Sequence, residues 1–408
     1  MPSLRVLALY VSLAAAAFAA DWSSVHQSGV NAWKQRDFAE AARLFAQCRP
    51  LSQTAVEAGI ADNDLGAALH ELHREREARE ALQRAYTVWS TLPNQRKALA
   101  ETAVSLAEAN ANLSDFAAAE QVLRETLAAP DLPNLSAAAL HNTLGDKLRE
   151  RAAAPEAREH FNATLALSGI SPAQRIEAIS GLADLDRQAR RWKESVAGWN
   201  EAIALAHAAD LTPPEALALR GLGLTLTSMG ELSRAEPVLK RAVALLDAPN
   251  PASPQQLANA LLGLASLYRR EQKPSLAESL LLRALDINRS NGAADRPESA
   301  AIMESLTEIL ALENRPAEAL RYAARAYEIM AQSFGPESTV AASAIVTLAI
   351  VKERAGDLNG SADDYSSALA IFEADNAARY PIAVTALQRY AHVLGALQHG
   401  TVKAFHIP

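Results

Sequence analysis

A pair of small residues seven positions apart recurs nine times along the chain, and this repetition constrains the fold more than any other feature. Successive pairs begin 37 to 42 residues apart. A repeat of this length is the sequence sign of an array of identical structural units. The pairs are Ala41/Cys48, Ala78/Ala85, Ala119/Thr126, Ala157/Thr164, Ser195/Ala202, Ala235/Ala242, Ala277/Ala284, Ala319/Ala326 and Ser361/Ala368.

Each pair belongs to a larger pattern with helical spacing. Seven residues make about two turns of α-helix, so both members of a pair lie on one helix face. Small residues on that face let neighbouring helices approach closely. Another small residue lies twelve positions before each pair, namely Gly29, Gly66, Ala107, Gly145, Ala183, Gly223, Ala265, Thr307 and Ala349. A larger apolar residue usually lies four positions after the first member, as at Phe45, Leu82, Phe161, Trp199 and Leu239.

The pattern resembles the tetratricopeptide repeat, whose helix A carries a leucine–glycine pair and whose helix B carries alanine, an aromatic residue and alanine. The clearest example is residues 261–287, and the last repeats, spaced by 42 residues, resemble the longer form of kinesin light chains. The resemblance implies an all-α, right-handed α-solenoid of about nine stacked helix–turn–helix repeats. A capping helix over residues 381–398 would close the stack, as solenoids require.

The first residues of the chain predict export. Arg5 precedes an apolar run over residues 6–18, and Ala17 and Ala19 form the A-x-A arrangement of a signal-peptidase site. The run is shorter than the roughly 20 apolar residues that span a bilayer. We therefore expect a signal peptide over residues 1–19, a solenoid over 22–400 and a tail over 401–408. A periplasmic or secreted location follows, without membrane insertion after cleavage; an N-terminal anchor or a buried helix is the alternative.

Charge and cysteine content exclude some partners and some covalent links. The formal net charge is -8, whereas nucleic-acid binding usually requires a basic face, so we expect no nucleic-acid partner. Cys48 is the only cysteine, which excludes an intramolecular disulfide. Because it occupies a small-residue position of the repeat, we expect a buried, unreactive thiol.

No motif predicts catalysis, a metal or a cofactor. His70, Glu71 and His73 lack the H-E-x-x-H spacing of zinc proteases and are interpreted as surface residues. Gly221 and Gly223 fall inside a predicted helix without a preceding strand, so they do not form a phosphate loop. We therefore predict a protein that is not an enzyme.

The resemblance places a partner in the concave groove lined by the A helices. The groove positions of repeats three to five hold a mixed polar patch, with Asn142 and Arg220 nearby, and Trp33 lies at a groove position of repeat one. The lysine–asparagine clamp that binds chaperone tails is absent. Intrahelical Asp–Arg pairing is the structural alternative for the patch. The predicted partner-binding residues are Asn142, Asp146, Arg149, Asp184, Arg187, Arg220 and Trp33.

These observations predict an exported scaffold that binds a protein or peptide in its groove. A structural solenoid that self-associates through its ends or convex face is the alternative. A carbohydrate-binding module is a weaker one, since it would need exposed aromatic side chains along the groove. The sequence does not specify the partner or the oligomeric state.

Overall fold

A computed structural model describes residues 21–113, 115–247, 254–374 and 380–404, and within these ranges the regular structure is helical. Nine helices, the A helices, are α1 (Trp22–Lys34), α3 (Ala55–Glu71), α5 (Arg96–Asn112), α7 (Asn134–Glu150), α9 (Pro172–Gln188), α11 (Thr212–Met229), α13 (Pro254–Arg270), α15 (Pro297–Leu312) and α17 (Thr339–Arg354). Each is followed by a B helix: α2 (Phe38–Leu51), α4 (Glu75–Ser90), α6 (Phe116–Leu127), α8 (Ala154–Ala166), α10 (Trp192–Ala208), α12 (Leu232–Leu246), α14 (Pro274–Ser290), α16 (Pro316–Phe334) and α18 (Leu358–Ala374). A final helix, α19, spans Pro381–Ala404.

The helices form two compact units, Met1–Lys147 and Leu148–Pro408. In unit 1, α3 packs against α4 and touches the next A helix, α5. In unit 2, α9, α11, α13 and α15 each contact the following A helix, and α17 contacts α19; each of the five also packs against its own B helix. The predicted all-α stack of helix–turn–helix repeats is confirmed by this arrangement.

The repeat register predicted from the small residues is also confirmed. Every member of the nine pairs is at most 1% exposed. The small residue of helix A faces the large apolar residue of helix B: a Cβ added to Gly29, Gly66 or Gly223 would lie within 3.0 Å of Phe45, Leu82 or Leu239, respectively. The pattern therefore records the close approach of the two helices in each repeat.

In each of the described turns between helix A and helix B, one residue has a left-handed backbone conformation. Its φ is 59° at Ala152 and 57° at Arg190. Two of the eight residues named below are glycines, Gly230 and Gly356. The following N–H donates to a carbonyl five residues back, as from Ala153 to Leu148 at 2.8 Å. This is the hydrogen bond of a Schellman cap. The residues are Arg36, His73, Ala152, Arg190, Gly230, Gln272, Asn314 and Gly356.

The end of the chain differs from the sequence prediction. Helix α19 begins at Pro381 as predicted but continues to Ala404, into the segment predicted as a tail. Ala383, Ala386 and Val393 are buried in a cluster with residues of α17 and α18, so α19 covers the last repeat. The predicted signal peptide, residues 1–19, lies outside the described residues. None of the described helices is both long and apolar enough to span a bilayer.

Candidate binding groove

Within unit 2, an ion pair joins the last turn of α7 to α9, the next A helix. Arg149, at the end of α7, donates from Nη1 to Oδ2 of Asp184 on α9 at 2.9 Å. Arg187, one turn further along α9, donates to Oδ1 of the same carboxylate from Nε at 2.8 Å and from Nη2 at 2.6 Å. Gln188 adds a hydrogen bond from Nε2 to Oδ2 at 2.9 Å. Both oxygens of Asp184 are therefore engaged.

This arrangement keeps Asp184 ionised. Burial alone would raise the pKa of the carboxyl, but Arg187 and Arg149 outweigh it and hold the pKa below its ordinary value. The pairing of Asp184 with Arg187 is the intrahelical i,i+3 contact that the sequence offered as a structural alternative. The contact from Arg149 comes from a different repeat, so the cluster also links neighbouring repeats.

Arg220 on α11 lies beside this cluster without sharing its ion pairs. Its side chain is half-buried, and the Cγ of its stem lies 3.2 Å from where a Cβ of Gly263 on α13 would be. Within the described part of the chain, no ion pair or hydrogen bond engages its guanidinium. Burial lowers its pKa, an effect that Asp184 opposes and Arg187 reinforces. Arg149 and Arg187 thus bond to Asp184, whereas Arg220 is affected by its charge without a hydrogen bond to it among the described residues.

Two glutamates on α15 form a second charged position, opposite in sign to Arg220. Glu308 on α15 forms an ion pair with Arg269 on α13, with 2.8 Å between Oε2 and Nη1. Glu304, one turn earlier, is half-buried and has no ion pair or hydrogen bond with any described residue. Burial raises its pKa to about 7, and the neighbouring carboxylate of Glu308 adds to the effect.

Half-buried side chains of α11 and α13 lie between these two positions. Leu224 is one turn beyond Arg220, and Leu262 adjoins Gly263, against which the Arg220 stem packs. We call the surface defined by Arg149, Asp184, Arg187, Arg220, Leu224, Leu262, Ser266, Glu304 and Glu308 the A-helix face. Near its far end, a cavity of about 280 Å³ is lined by residues that include Arg269, Glu308, Ile350 and Arg354.

The structure thus brings together four of the seven predicted binding residues, those of unit 2. The other three belong to unit 1. Asn142 is fully buried, so it presents no surface to a partner, and Asp146 is half-buried. Trp33 is half-buried and packs edge-on against Phe38, with ring centroids 5.1 Å apart.

Cys48 and His70, which were considered for chemistry from the sequence, lie in contacts within the fold. Cys48 is fully buried, and burial, together with the charge of Asp64, raises the pKa of its thiol to about 11. Nδ1 of His70 lies 3.0 Å from Oε2 of the buried Glu75, a contact that raises the pKa of the histidine. Among the described residues, no group of three or more potential ligands could hold a metal ion.

Sequence reasoning missed two features of this surface. Gln188 donates a further hydrogen bond to Asp184. Glu304, which has no partner among the described residues, occupies the groove position of repeat eight that corresponds to Arg220 in repeat six. The repeat register gives the position of Glu304. Its burial depends on how closely neighbouring repeats approach, which the register does not specify.

The fold and its packing register define a protein built of helix–turn–helix repeats. Residues 256–332 match the family described as tetratricopeptide repeat, and the family predicted from the sequence is confirmed. No curated protein matches the chain.

Solved structures share the fold at low sequence identity. The apo form of the quorum sensor NprR from B. thuringiensis aligns with a TM-score of 0.55 at 12% identity, covering 80% of this chain and 93% of its own. A Rap protein complexed with Competence and Sporulation Factor aligns with a TM-score of 0.52 at 12% identity, covering 85% and 99%. Repeats of a putative kinesin light chain from Podosopora anserina align with a TM-score of 0.43 at 16% identity, covering 50% and 97%.

Proposed function

We propose that this protein is an exported scaffold that binds a protein or peptide partner along the A-helix face of unit 2. The observation that carries the proposal is the half-buried guanidinium of Arg220, which no carboxylate of the described residues pairs with. Burying an unpaired charge is costly, so such groups usually have a partner. A ligand that supplies an acceptor would remove this cost. The similar Rap structure, complexed with its factor, is consistent with a binding role for this fold.

Capture of the partner tests the proposal. Wild-type protein and two variants are immobilised and exposed to the extracytoplasmic fraction of the source cells. The groove variant carries Arg149→Gln, Arg187→Gln and Arg220→Met. The matched control carries Arg234→Gln, Arg289→Gln and Arg321→Gln, which neutralise three exposed arginines of B helices.

We expect the control to retain the proteins captured by the wild type and the groove variant to lose them. Melting curves verify that both variants are folded. Equal capture by all three would contradict the proposed site, and equal loss by both variants would indicate nonspecific charge attraction.

Export is a separate part of the proposal. It is supported by the A-x-A pattern at Ala17 and Ala19, and by the first helix, whose cap Asp21 accepts from the N–H of Ser24 at 2.7 Å. Cleavage after Ala19 would leave this cap in place. Intact-mass measurement of the exported protein should give a chain that begins at Ala20. A chain that retains residues 1–19 would contradict the proposal.

We assign binding and no catalytic step to the protein. Repeats of this fold form extended surfaces on which partners bind. Carbohydrate binding has no comparable support, because Trp33, the aromatic residue predicted to face the groove, packs against Phe38.

Self-association is a second candidate because α19 exposes an apolar stripe. Tyr380, which directly precedes α19, and Val384, Leu387 and Leu394 within it are 54%, 43%, 58% and 37% exposed. Their separations of four, three and seven residues follow the seam of a coiled coil. Light scattering over a range of concentrations should show a mass increase in the wild type that Leu387→Glu abolishes. A monomer at every concentration would contradict this candidate.

A further inference from the structure

We propose that the A-helix face of unit 2 binds an extended peptide segment with a carboxylate at Arg220 and a cationic side chain or amino terminus at Glu304. This inference rests on the proposed binding function and specifies its ligand. The two charges of the ligand should be separated by about five or six residues, a spacing set by the stacking of the repeats.

The Arg220 end is built to receive an anion. Asp184 already accepts two hydrogen bonds at each oxygen, from Arg149, Arg187 and Gln188, so it has no lone pair left for a hydrogen bond from a third arginine. The stem of Arg220 packs at Gly263, where a larger residue would crowd its Cγ. Its guanidinium retains its forked donors, which match the two oxygens of a carboxylate. A glutamate, an aspartate or a carboxyl terminus can provide that group.

The Glu304 end is complementary in sign. Arg269, the cation from the neighbouring A helix, is paired with Glu308. Glu304 is therefore left as an acceptor without a donor among the described residues, in surroundings that disfavour its charge. A protonated amine of the ligand would favour the ionised carboxylate and form a charge-assisted hydrogen bond with it.

The separation of the two ends determines the length of the segment. Arg220, Leu262 and Glu304 occupy equivalent positions on α11, α13 and α15, each 42 residues after the last. Packed helix axes lie about 8–10 Å apart, so two steps span about 16–20 Å. An extended chain advances about 3.3 Å per residue, which corresponds to about five or six residues. Leu224 and Leu262 would contact apolar side chains of the ligand between its charged ends.

A peptide-display selection tests this assignment without knowledge of the natural partner. A library of random twelve-residue peptides is selected on wild-type protein. We expect the enriched sequences to share an acidic and a basic residue separated by about five or six positions, with apolar residues between them. One enriched peptide is then synthesised as the probe, together with versions in which its acid is replaced by the amide or its lysine by norleucine.

Matched variants assign each charge of the probe to its end of the face. Arg220→Met should weaken the probe by at least about tenfold and should make the acid-to-amide change neutral, because the two changes remove one interaction. Glu304→Gln should do the same for the lysine-to-norleucine change. Arg220→Lys keeps the charge and should retain a preference for the acidic probe. Arg289→Gln and Glu194→Gln, in exposed positions of B helices, should leave binding unchanged.

The outcomes separate this inference from the function on which it rests. Enriched peptides that depend on the A-helix face but have no fixed acid–base spacing would overturn the inference and leave the binding function intact. Enriched peptides insensitive to Arg220→Met, Glu304→Gln and the triple groove variant would overturn both. A selection that enriches nothing would overturn the inference alone, because the proposed function also allows a folded protein as the partner.

Discussion

Asp184 on α9 accepts from Nη1 of Arg149 on α7 at 2.9 Å, so a single carboxylate ties one repeat to the next. Its side chain is 18% exposed, compared with 28% for Arg149. The same carboxylate also accepts from Arg187 and lies near Arg220. The two members of this pair therefore contribute unequally: without Arg149, Asp184 keeps a partner, whereas without Asp184 three arginines lose their common anion.

We predict that Asp184→Asn lowers the free energy of unfolding by about 1–3 kcal/mol, and that Arg149→Gln lowers it by less. Because the pKa of Asp184 is lowered in the folded protein, its contribution is present above about pH 4 and is lost as the pH falls further. Urea titrations at pH 7 and pH 3 would measure both effects. Equal losses for the two variants at pH 7 would contradict the unequal roles.

Glu304 should make the ligand-free protein less stable as the pH rises. Its folded pKa of about 7 lies above the ordinary value of 4.5 for a glutamate, so the folded state binds the proton more tightly. Stability is therefore lost between about pH 4.5 and pH 7. We predict that Glu304→Gln raises the free energy of unfolding by about 1–3 kcal/mol at pH 8 and by little at pH 4, since partial exposure to water reduces the full effect. A variant at exposed Glu194, Glu194→Gln, should show no such trend; a pH-independent effect of Glu304→Gln would disprove the assignment.

The left-handed turn at Ala152 predicts a stabilising glycine substitution. A residue with a Cβ is strained at φ 59°, whereas glycine is not. Ala152→Gly should raise the free energy of unfolding by about 0.5–1 kcal/mol. The control Ala204→Gly, in an exposed interior position of α10, should lower it by about 1 kcal/mol. Thermal melts of the two variants should therefore move in opposite directions, and a shared decrease would argue against the turn.

The contact between Gly223 and Leu239 can be tested by compensation. Gly223→Ala places a Cβ within 3.0 Å of the Leu239 side chain, so we predict a loss of about 1–3 kcal/mol. Leu239→Ala leaves a cavity and should cost about 2–5 kcal/mol. In the double variant the new methyl group enters the vacated space, so the combined loss should be smaller than the sum by about 1 kcal/mol or more.

Gly395→Ala is the control for that cycle. This glycine also lies within a helix, but apart from the adjoining backbone of that helix no atom of the described residues lies within 4 Å of an added Cβ. The substitution should stabilise the protein slightly, because alanine favours helix more than glycine. Additive losses in the Gly223–Leu239 cycle would show that the two residues do not share one space.

The sequence predicted the fold well because the repeated residues mark the contacts between packed helices. Residues such as Ala277 and Ala284 are small because two helices touch there, and this constraint returns in every repeat. The turns were harder to predict: Arg36, Arg190 and Gln272 adopt left-handed conformations that their residue types do not favour. There, the packing of the two helices overrides local preference.

The candidate site could be predicted only in part. The register correctly placed Arg149, Asp184, Arg187 and Arg220 on neighbouring A helices. It also placed Asn142 in the groove, where the structure buries it completely. Periodicity assigns a residue to a helix face, but the exposed width of that face depends on side-chain volumes in the adjoining repeats. The burial of Glu304 has the same origin.

The thiol of Cys48 does not compete with an introduced cysteine for thiol-reactive labels. It is fully buried, and its pKa of about 11 leaves almost no thiolate at neutral pH, the form that reacts with maleimides. A cysteine introduced on an exposed helix would therefore take up a fluorophore or spin label alone, without prior removal of the native residue. The movements of single repeats can thus be followed spectroscopically in a chain whose packing is otherwise unaltered.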